Sequence, residues 1–287
     1  MIDLEDNFED IVSKTMRGTG LSDAVLSFLT QIDENRIARL KEGEFDEEAL
    51  RAIAPSLGLC ADSLVERARG EWRPEVISVQ GLAQFNTIFD DDPEDPMTVN
   101  SYLAWDPKTQ EAALFDTGAD ASPALQAISN YGLELRYLFL THTHADHIGD
   151  RQKVLEAHPE VQMLANGRES IRGARRFQAG ETFSVGTLRV TTRLTWGHSP
   201  AGTSYVIRGL DRPVAVVGDA LFAQSMGGPM ISFQASLESN RKELFSLEDE
   251  TVVCPGHGPM TSIGEEKAHN PFFPEFKREE RMEDRTN

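Results

Sequence analysis

The sequence of 287 residues has few cysteines, no long apolar run and a shortage of basic side chains. Cys60 and Cys254 are its only cysteines and lie far apart, which excludes a disulfide framework and favours a reducing compartment. No stretch approaches the roughly 20 apolar residues that a membrane-spanning helix requires. The first residues, MIDLEDNFEDIVSK, are charged throughout and lack the apolar segment of a secretory signal. We therefore expect a cytoplasmic protein that does not associate with a membrane.

Acidic side chains outnumber basic ones along the whole chain. Lysine and arginine number 28 against 47 aspartates and glutamates, which gives a formal net charge of −19. This balance argues against nucleic acid as a partner, because a surplus of basic side chains is what attracts a polyanion. The net charge of the chain does not restrict the local charge of a small site, since a bound metal ion can make such a site cationic.

Residues 1–73 are predicted to form a helical N-terminal domain. Apolar residues recur at the spacing of one helix face within residues 21–40, and Ser22 is placed to cap that helix. The face consists of Leu21, Val25, Phe28, Leu29 and Ile32. Two shorter helices, separated by Pro55 and Gly58, are expected to follow.

A helix-turn-helix module that binds DNA is one interpretation of the two helices between residues 47 and 70. Such modules usually present a basic face, whereas residues 1–75 contain 9 basic and 17 acidic side chains. The preferred interpretation is a helical bundle that packs on the rest of the chain or joins two copies of it in a homo-oligomer.

Residues 74–287 have the composition of an α/β domain. Short β-branched or aromatic runs end at Gly, Pro or Asp, which is typical of strands. The runs are PEVISVQ, NSYLAW, AALFDTG, LRYLFLT, TLRVTTRLTWG, TSYVIRG, PVAVVGD and ETVVCPG. Helical patterns lie between some of them, in SPALQAISNYG, DRQKVLEAHP and SFQASLESNRKELFSL. We also expect an exposed acidic loop at residues 90–96 and a charged tail after Phe273.

Three of the seven histidines fall in the segment LRYLFLTHTHADHIGD, residues 135–150. Side chains at i and i+2 diverge on a helix but share one side of an extended segment. At the end of the strand LRYLFLT, His142 and His144 can therefore bind one metal ion, while Asp146 and His147 reach a second. A single loop histidine is usually a solvated side chain, but His-x-His-x-Asp-His after an apolar strand favours metal binding.

Three further ligand-type residues follow downstream strands. His198 lies in a Gly-His-Ser-Pro turn, Asp219 ends the strand PVAVVGD, and His257 lies in a Pro-Gly-His-Gly turn. Strand ends followed by tight turns are where α/β folds build sites along one sheet edge. His158 and His269 have no such context, and we expect them to be surface residues.

The order of these motifs resembles the metallo-β-lactamase superfamily from about residue 75 to about residue 273. The turn LFDTGAD, with Asp116, matches the family's Asp-x-Gly turn and is expected to support the metal loop. The segments GDALF, WGHSPAGTSY and EDETVVCPGHGPMTSIGEEKAHNPF are similar to glyoxalase II-like hydrolases, especially the short bacterial type. The resemblance implies an α/β fold, a four-layer αβ/βα sandwich, preceded here by the small N-terminal helical domain.

The resemblance also implies a dinuclear metal site. The expected ligands are His142, His144 and His198 for the first ion, Asp146, His147 and His257 for the second, and Asp219 as a bridge between them. These donors suit two divalent ions, with Zn²⁺ as the first choice and Fe or Mn as alternatives. We assign catalytic roles to Asp146 and Asp219. The implied reaction is hydrolysis of a small-molecule acyl thioester by a metal-activated water, with the thiolate leaving at the second ion.

Several alternatives stay open, because the sequence departs from the glyoxalase II pattern. Asp150 replaces the family's usual glycine after the histidine motif, and no C-terminal helical domain that would bind glutathione is visible. A persulfide dioxygenase with one iron generally lacks the Pro-Gly-His-Gly ending, so His257 argues against it. A lactonase, a phosphodiesterase and a non-catalytic regulatory module that binds metal are the remaining candidates. The absence of a secretion signal disfavours a true β-lactamase.

Overall fold

The computed structural model describes residues 2–90, 92 and 96–277 and contains two six-stranded sheets. The first sheet contains, in spatial order, β1 (Leu82–Asp90), β2 (Met97–Trp105), β3 (Glu111–Phe115), β4 (Glu134–Phe139), β5 (Gln162–Asn166) and β6 (Arg175–Phe177). The second contains, again as neighbours, β7 (Thr182–Val185), β8 (Leu188–Leu194), β9 (Thr203–Arg208), β10 (Val214–Gly218), β11 (Val252–Pro255) and β12 (Thr261–Ser262). Most of the predicted acidic loop and the end of the predicted tail lie outside the described residues.

Helices flank the two sheets. The α-helices are α1 (Phe8–Thr19), α2 (Asp23–Thr30), α3 (Glu34–Lys41), α4 (Glu47–Ile53), α5 (Ala61–Arg69), α6 (Ser122–Tyr131), α7 (Ala145–Ile148), α8 (Arg151–Ala157), α9 (Phe233–Ser239) and α10 (Ile263–His269). A 3₁₀ turn at Ala54–Leu57 separates α4 from α5, as Pro55 and Gly58 predict, and a π-helical turn at Asn240–Leu244 extends α9. Among the described residues, no helix combines the length and the apolar character needed to cross a bilayer.

Strand β10 shows how the sequence produces the layers. Its residues are all buried, and side chains of successive residues point to opposite faces of the sheet. Val214 and Val216 pack between the two sheets, whereas Ala215 and Val217 pack against helices on the outer face. Helices α6 and α8 cover the outer face of the first sheet in the same way. The predicted four-layer α/β sandwich is therefore confirmed.

The N-terminal helices share one hydrophobic cluster with the second sheet. Ile11 of α1, Leu50 of α4 and Leu64 of α5 belong to the same buried cluster as Val206 and Val253. The helices thus form part of the outer layer on this sheet. The boundary at residues 73 and 74 and the expected homo-oligomer stay predictions.

The predicted helix face within residues 21–40 is wrong in detail. Gln31 adopts a left-handed conformation and divides the segment into α2 and α3. Ser22 caps α2 as expected, but Phe28 is 78% exposed, and Leu26 is the buried residue of the helix. Helix α1 was not predicted, because its apolar stripe is short and interrupted by charged residues.

The strand predictions are correct for β2, β3, β4, β8, β9, β10 and β11. The run PEVISVQ is wrong, since no strand pairs with it and Val76 is 90% exposed. Strands β1, β5, β6, β7 and β12 were missed. Strands β5, β6, β7 and β12 are at most five residues long, and tertiary pairing rather than sequence pattern makes them strands. Strand β1 is nine residues long, but polar residues interrupt its apolar ones.

Candidate metal centre

The predicted ligands come together where several strands end. Strands β3 and β4 are parallel, as are β10 and β11, so the carboxyl ends of each pair lie at the same edge of their sheet. The loops that leave β4, β8, β10 and β11 meet between the two sheets. They bring all seven predicted side chains together, in two groups. The groups are His142, His144, His198 and Asp219, and Asp146, His147 and His257.

The first group is built from three imidazoles and a carboxylate. Nε2 of His142 and Nε2 of His198 each lie 3.0 Å from Nδ1 of His144. Oδ2 of Asp219 lies 3.3 Å from Nε2 of His198 and 3.8 Å from Nε2 of His142. Four ligand atoms thus surround a space of the size that one metal ion needs.

The second group lies directly beside the first. Oδ2 of Asp146 is 3.3 Å from Nε2 of His147 and 3.2 Å from Nε2 of His257. Oδ1 of Asp219 is 3.2 Å from Nε2 of His147, and its Oδ2, which faces the first group, is also 3.6 Å from Nε2 of His257. Asp219 therefore faces both groups.

Two buried polar atoms indicate that these residues fit metal ions. Nε2 of His147 and Oδ1 of Asp219 lie 3.2 Å apart but form no hydrogen bond with each other or with another described residue, although both side chains are almost fully buried. A buried polar atom without a partner costs about 1–3 kcal/mol. A divalent cation satisfies both atoms, and the nitrogen and carboxylate donors are of the type that binds Zn²⁺, Fe or Mn.

The outer nitrogen of four histidines is held by a neighbour, which aims the inner nitrogen at the cluster. His147 Nδ1 donates to Asp116 Oδ2 at 2.8 Å, His198 Nδ1 to the Gly228 carbonyl at 2.7 Å, and His257 Nδ1 to the Thr98 carbonyl at 2.6 Å. His142 Nδ1 lies 3.0 Å from the Thr141 hydroxyl. Such partners fix the tautomer in which Nε2 carries the lone pair that a metal requires.

The protonation states follow from the close packing of opposite charges. Burial opposes the charged form of Asp219, but attraction from His147 and His257 lowers its pKa well below the usual range. Burial likewise opposes protonation of His147, yet Asp219 and Asp116 raise its pKa well above the usual value. In the metal-free site, protons therefore supply positive charge that a bound cation replaces.

Gly256 is needed for this close approach. A Cβ atom at this position would lie 2.1 Å from Oδ1 of Asp219 and 2.6 Å from Cε1 of His147. Any larger residue would push one of these side chains out of the cluster. The Pro-Gly-His-Gly turn thus supplies both a ligand-type residue and the space beside it.

Sequence reasoning missed the residues that support the ligands through backbone atoms. The backbone carbonyls of Thr98 and Gly228 bond His257 and His198, and a backbone carbonyl leaves no mark in the sequence. The buried side-chain amide of Asn100 donates to the carbonyls of Pro255 and Gly258, on either side of His257.

The expectation for His269 is also corrected. This ring is half-buried, bonds Glu66 at 2.9 Å and stacks on Trp72, which ties α10 to the N-terminal helices.

Comparison with known families supplies an independent view. The model of the metallo-beta-lactamase superfamily matches residues 95–257, which include all seven side chains of the cluster. The chain is 30% identical to the hydroxyacylglutathione hydrolase GloC of Haemophilus influenzae, in an alignment that covers 61% of this chain and 92% of that protein. It is 27% identical to the persulfide dioxygenase ETHE1 of Homo sapiens, over 60% of this chain and 70% of that protein.

Among solved structures, the fold is similar to that of the B3 metallo-beta-lactamase BLEG-1. The TM-score is 0.57, the sequences are 27% identical, and the match covers 67% of this chain and 99% of that one. Helices α1 to α5 all precede the segment that the family model matches.

Proposed function

The chain belongs to the metallo-β-lactamase superfamily, and we propose that within this family it is a dinuclear metal-dependent hydrolase of small-molecule acyl thioesters. The position of Asp219 carries the proposal. Each of its oxygens lies within 3.3 Å of an imidazole nitrogen, one from each group. A carboxylate shared in this way suits two ions, and Zn²⁺ is the cation that we expect, with Fe or Mn as alternatives.

The reaction class follows from what such a centre can do. When bound, divalent cations lower the pKa of a water molecule and polarise a carbonyl oxygen, which is the chemistry of hydrolysis. In the proposal, His142, His144 and His198 would hold the ion that faces the substrate carbonyl. Asp146 and Asp219 lie among the imidazoles and are the anionic side chains that would hold the cations and offset part of their charge.

The thioester substrate class is supported by similarity to the hydroxyacylglutathione hydrolase GloC. We propose that the leaving thiolate lies on the side of Asp146, His147 and His257. The glutathione part of that relative's substrate is not part of the proposal.

A panel of substrates tests the proposal. Protein stripped of metal and reloaded with Zn²⁺, Fe²⁺ or Mn²⁺ is assayed on acyl thioesters, lactones and phosphodiesters. We expect thioester hydrolysis to exceed the other two activities, to require metal, and to be lost in Asp219→Ala. Thioester rates at the level of the metal-free protein, beside rapid turnover of a lactone or phosphodiester, would overturn the substrate class.

A persulfide dioxygenase is the second candidate, since ETHE1 of Homo sapiens is a relative. Oxygen consumption with glutathione persulfide and iron-loaded protein measures this activity directly. The complete group of Asp146, His147 and His257 favours the hydrolase, because these three residues are a separate set of ligands for a second ion.

A further inference from the structure

The loop that follows Asp219 is buried, which is uncommon for a loop. Residues 220–227, the bridge loop, leave strand β10 and run toward α9, and every one of them is buried. Loops usually lie on the surface, because the polar groups of a buried backbone need hydrogen-bond partners. Other parts of the chain must therefore cover the bridge loop and supply those partners.

The bridge loop and the residue after it contact two ligand-type residues. The backbone amide of Gly227 donates to the carbonyl of Asp219 at 3.1 Å, which closes the loop onto that residue. A side chain on Gly227 would overlap the same carbonyl oxygen. The next residue, Gly228, accepts from Nδ1 of His198 at 2.7 Å. The position of the loop therefore affects both Asp219 and His198, which belong to the first group.

Lys14 of α1 reaches the bridge loop from the N-terminal helices. Its ammonium donates to the carbonyl of Met226 at 2.7 Å and pairs with Asp6, whose carboxylate also accepts from the Ser225 hydroxyl. The ammonium also lies 5.7 Å from the ring centroid of Phe222. The side chain of Lys14 is only 8% exposed. Because a buried charge is costly unless it is paired and hydrogen-bonded, this ion pair is a fixed part of the contact between α1 and the loop.

Helices α5 and α10 hold the middle of the bridge loop. Glu266 of α10 accepts from the backbone amide of Gln224 at 3.0 Å, and Asn270, which follows α10, donates to the carbonyl of Ser225 at 2.9 Å. Gln224 has a left-handed backbone, with φ of 57°, and its side-chain amide donates to Glu66 of α5 at 2.9 Å. The loop thus lies between the ligand-type residues on one side and these helices on the other.

We propose that Lys14 is a positioning residue for the first group of the metal centre, and that it acts through the bridge loop on Asp219 and His198. The inference gives the N-terminal helices a role in the site, although they precede residues 95–257, which the family model matches. It rests on the metal centre of the proposed function and not on the thioester substrate. The second group should be affected less, because it has three ligands of its own.

Lys14→Met tests the inference, since it removes the ammonium and nearly keeps the length of the side chain. Metal affinity is measured with Co²⁺, a coloured probe for sites that bind Zn²⁺, in competition with a chromophoric chelator. We expect one ion to bind about tenfold or more weakly, as is typical when a partner that orients a ligand is lost, and the other less than about threefold. At one equivalent, the cobalt spectrum should match that of His198→Ala, in which only the second group is complete.

Three further variants control for charge and folding. Lys14→Arg keeps the charge and a donor and should restore most of the affinity. Lys41→Met removes another partly buried ammonium of the N-terminal helices, which pairs with Asp23 at 2.7 Å, and should bind both ions like wild type. Lys14→Met leaves Asp6 buried without its cation, so it is also combined with Asp6→Asn, and this double variant should show the same selective loss. Melting temperatures show which variants are folded.

Nuclear magnetic resonance of the metal-free protein separates this inference from the proposed function. At about pH 8, where an imidazole with an ordinary pKa is neutral, the ¹⁵N signals of His198 show which ring nitrogen carries the proton. Wild type should carry it on Nδ1, toward Gly228, and Lys14→Met should show both tautomers. If wild type binds fewer than two ions, the proposed dinuclear centre fails and this signal decides the inference. If wild type binds two, equal affinities in folded Lys14→Met, or an equal loss of both ions, would show that the inference is wrong.

Discussion

The carboxylate of Asp116 accepts a hydrogen bond from His147 at 2.8 Å and binds the metal-loop residue Thr141 through both of its oxygens. Asp116 follows β3 directly and has a left-handed backbone, with φ of 56°. It therefore links the end of one strand to the loop that leaves its parallel neighbour, and it fixes the ring of His147 before any ion binds.

Replacement of Asp116 by Ala should weaken metal binding without removing a ligand. Partners of this kind typically contribute 10- to 100-fold in metal affinity. Competition with a chromophoric chelator measures the change. Asp120→Ala, at an exposed carboxylate that pairs with Lys153, is the control and should bind metal like wild type. Unchanged affinity in Asp116→Ala would mean that packing alone orients His147.

Gly256→Ala should lower metal content, because the added methyl group would overlap Asp219 and His147. We expect a loss of at least tenfold in affinity with a folded protein by circular dichroism. Gly167→Ala adds the same atom where the nearest neighbour, the Phe177 carbonyl, is 3.4 Å away, and should leave affinity unchanged. Equal metal content in the two variants would contradict the packing argument.

Two metal ions per chain are expected when the protein is purified without chelator, since both groups have ligands of their own. Elemental analysis measures the stoichiometry. Asp219→Ala should reduce it more than any other single ligand change, because only this side chain faces both groups. A single equivalent, found as iron, would contradict the dinuclear proposal and favour the dioxygenase.

His257→Ala should affect poor leaving groups more than good ones. Its loss weakens the second group and, in the proposal, the stabilisation of the thiolate, which an alkyl thiol needs more than an activated aryl thiol. Each ~1.4 kcal/mol of lost stabilisation costs about tenfold in rate. Rates for alkyl and aryl thioesters are compared at saturating zinc. Equal losses would indicate a structural role for His257.

Zinc binding should release protons at neutral pH. Burial disfavours protonation of His257, but Asp219 and Asp146 outweigh it and raise its pKa to about 10. In the metal-free protein this raised pKa stabilises the fold below about pH 6.5, and the stabilisation is lost as the pH rises through about 10. Apparent zinc affinity should therefore increase with pH over the same window.

Calorimetry in two buffers of different ionisation enthalpy measures the protons released at about pH 7. Urea unfolding of the metal-free protein at about pH 6.5 and about pH 9.5 measures the stability change. Zinc binding without proton release, together with a constant free energy of unfolding, would show that His257 is neutral in the metal-free site.

The sequence by itself determined the ligand-type residues and the α/β class. The motif His-x-His-x-Asp-His, His198, Asp219 and His257 each follow an apolar run, and period-two geometry already predicts that His142 and His144 share one side. Buried central strands such as β10 are recognisable from the sequence, because a continuous apolar run in a domain of this size is compatible with few structures other than a buried strand. The missed strands have no such continuous apolar run: β1 is interrupted by polar residues, and β5, β6, β7 and β12 are at most five residues long.

Only the tertiary structure decided how the centre is supported and what covers it. The carbonyls of Thr98 and Gly228 orient two histidines, and any residue type offers a carbonyl, so no sequence pattern marks them. Glu5 reaches His257 across more than 250 positions of sequence because the N-terminal helices pack on the outer face of the second sheet. Contacts of this kind depend on how the layers pack together, which the local spacing of residues does not encode.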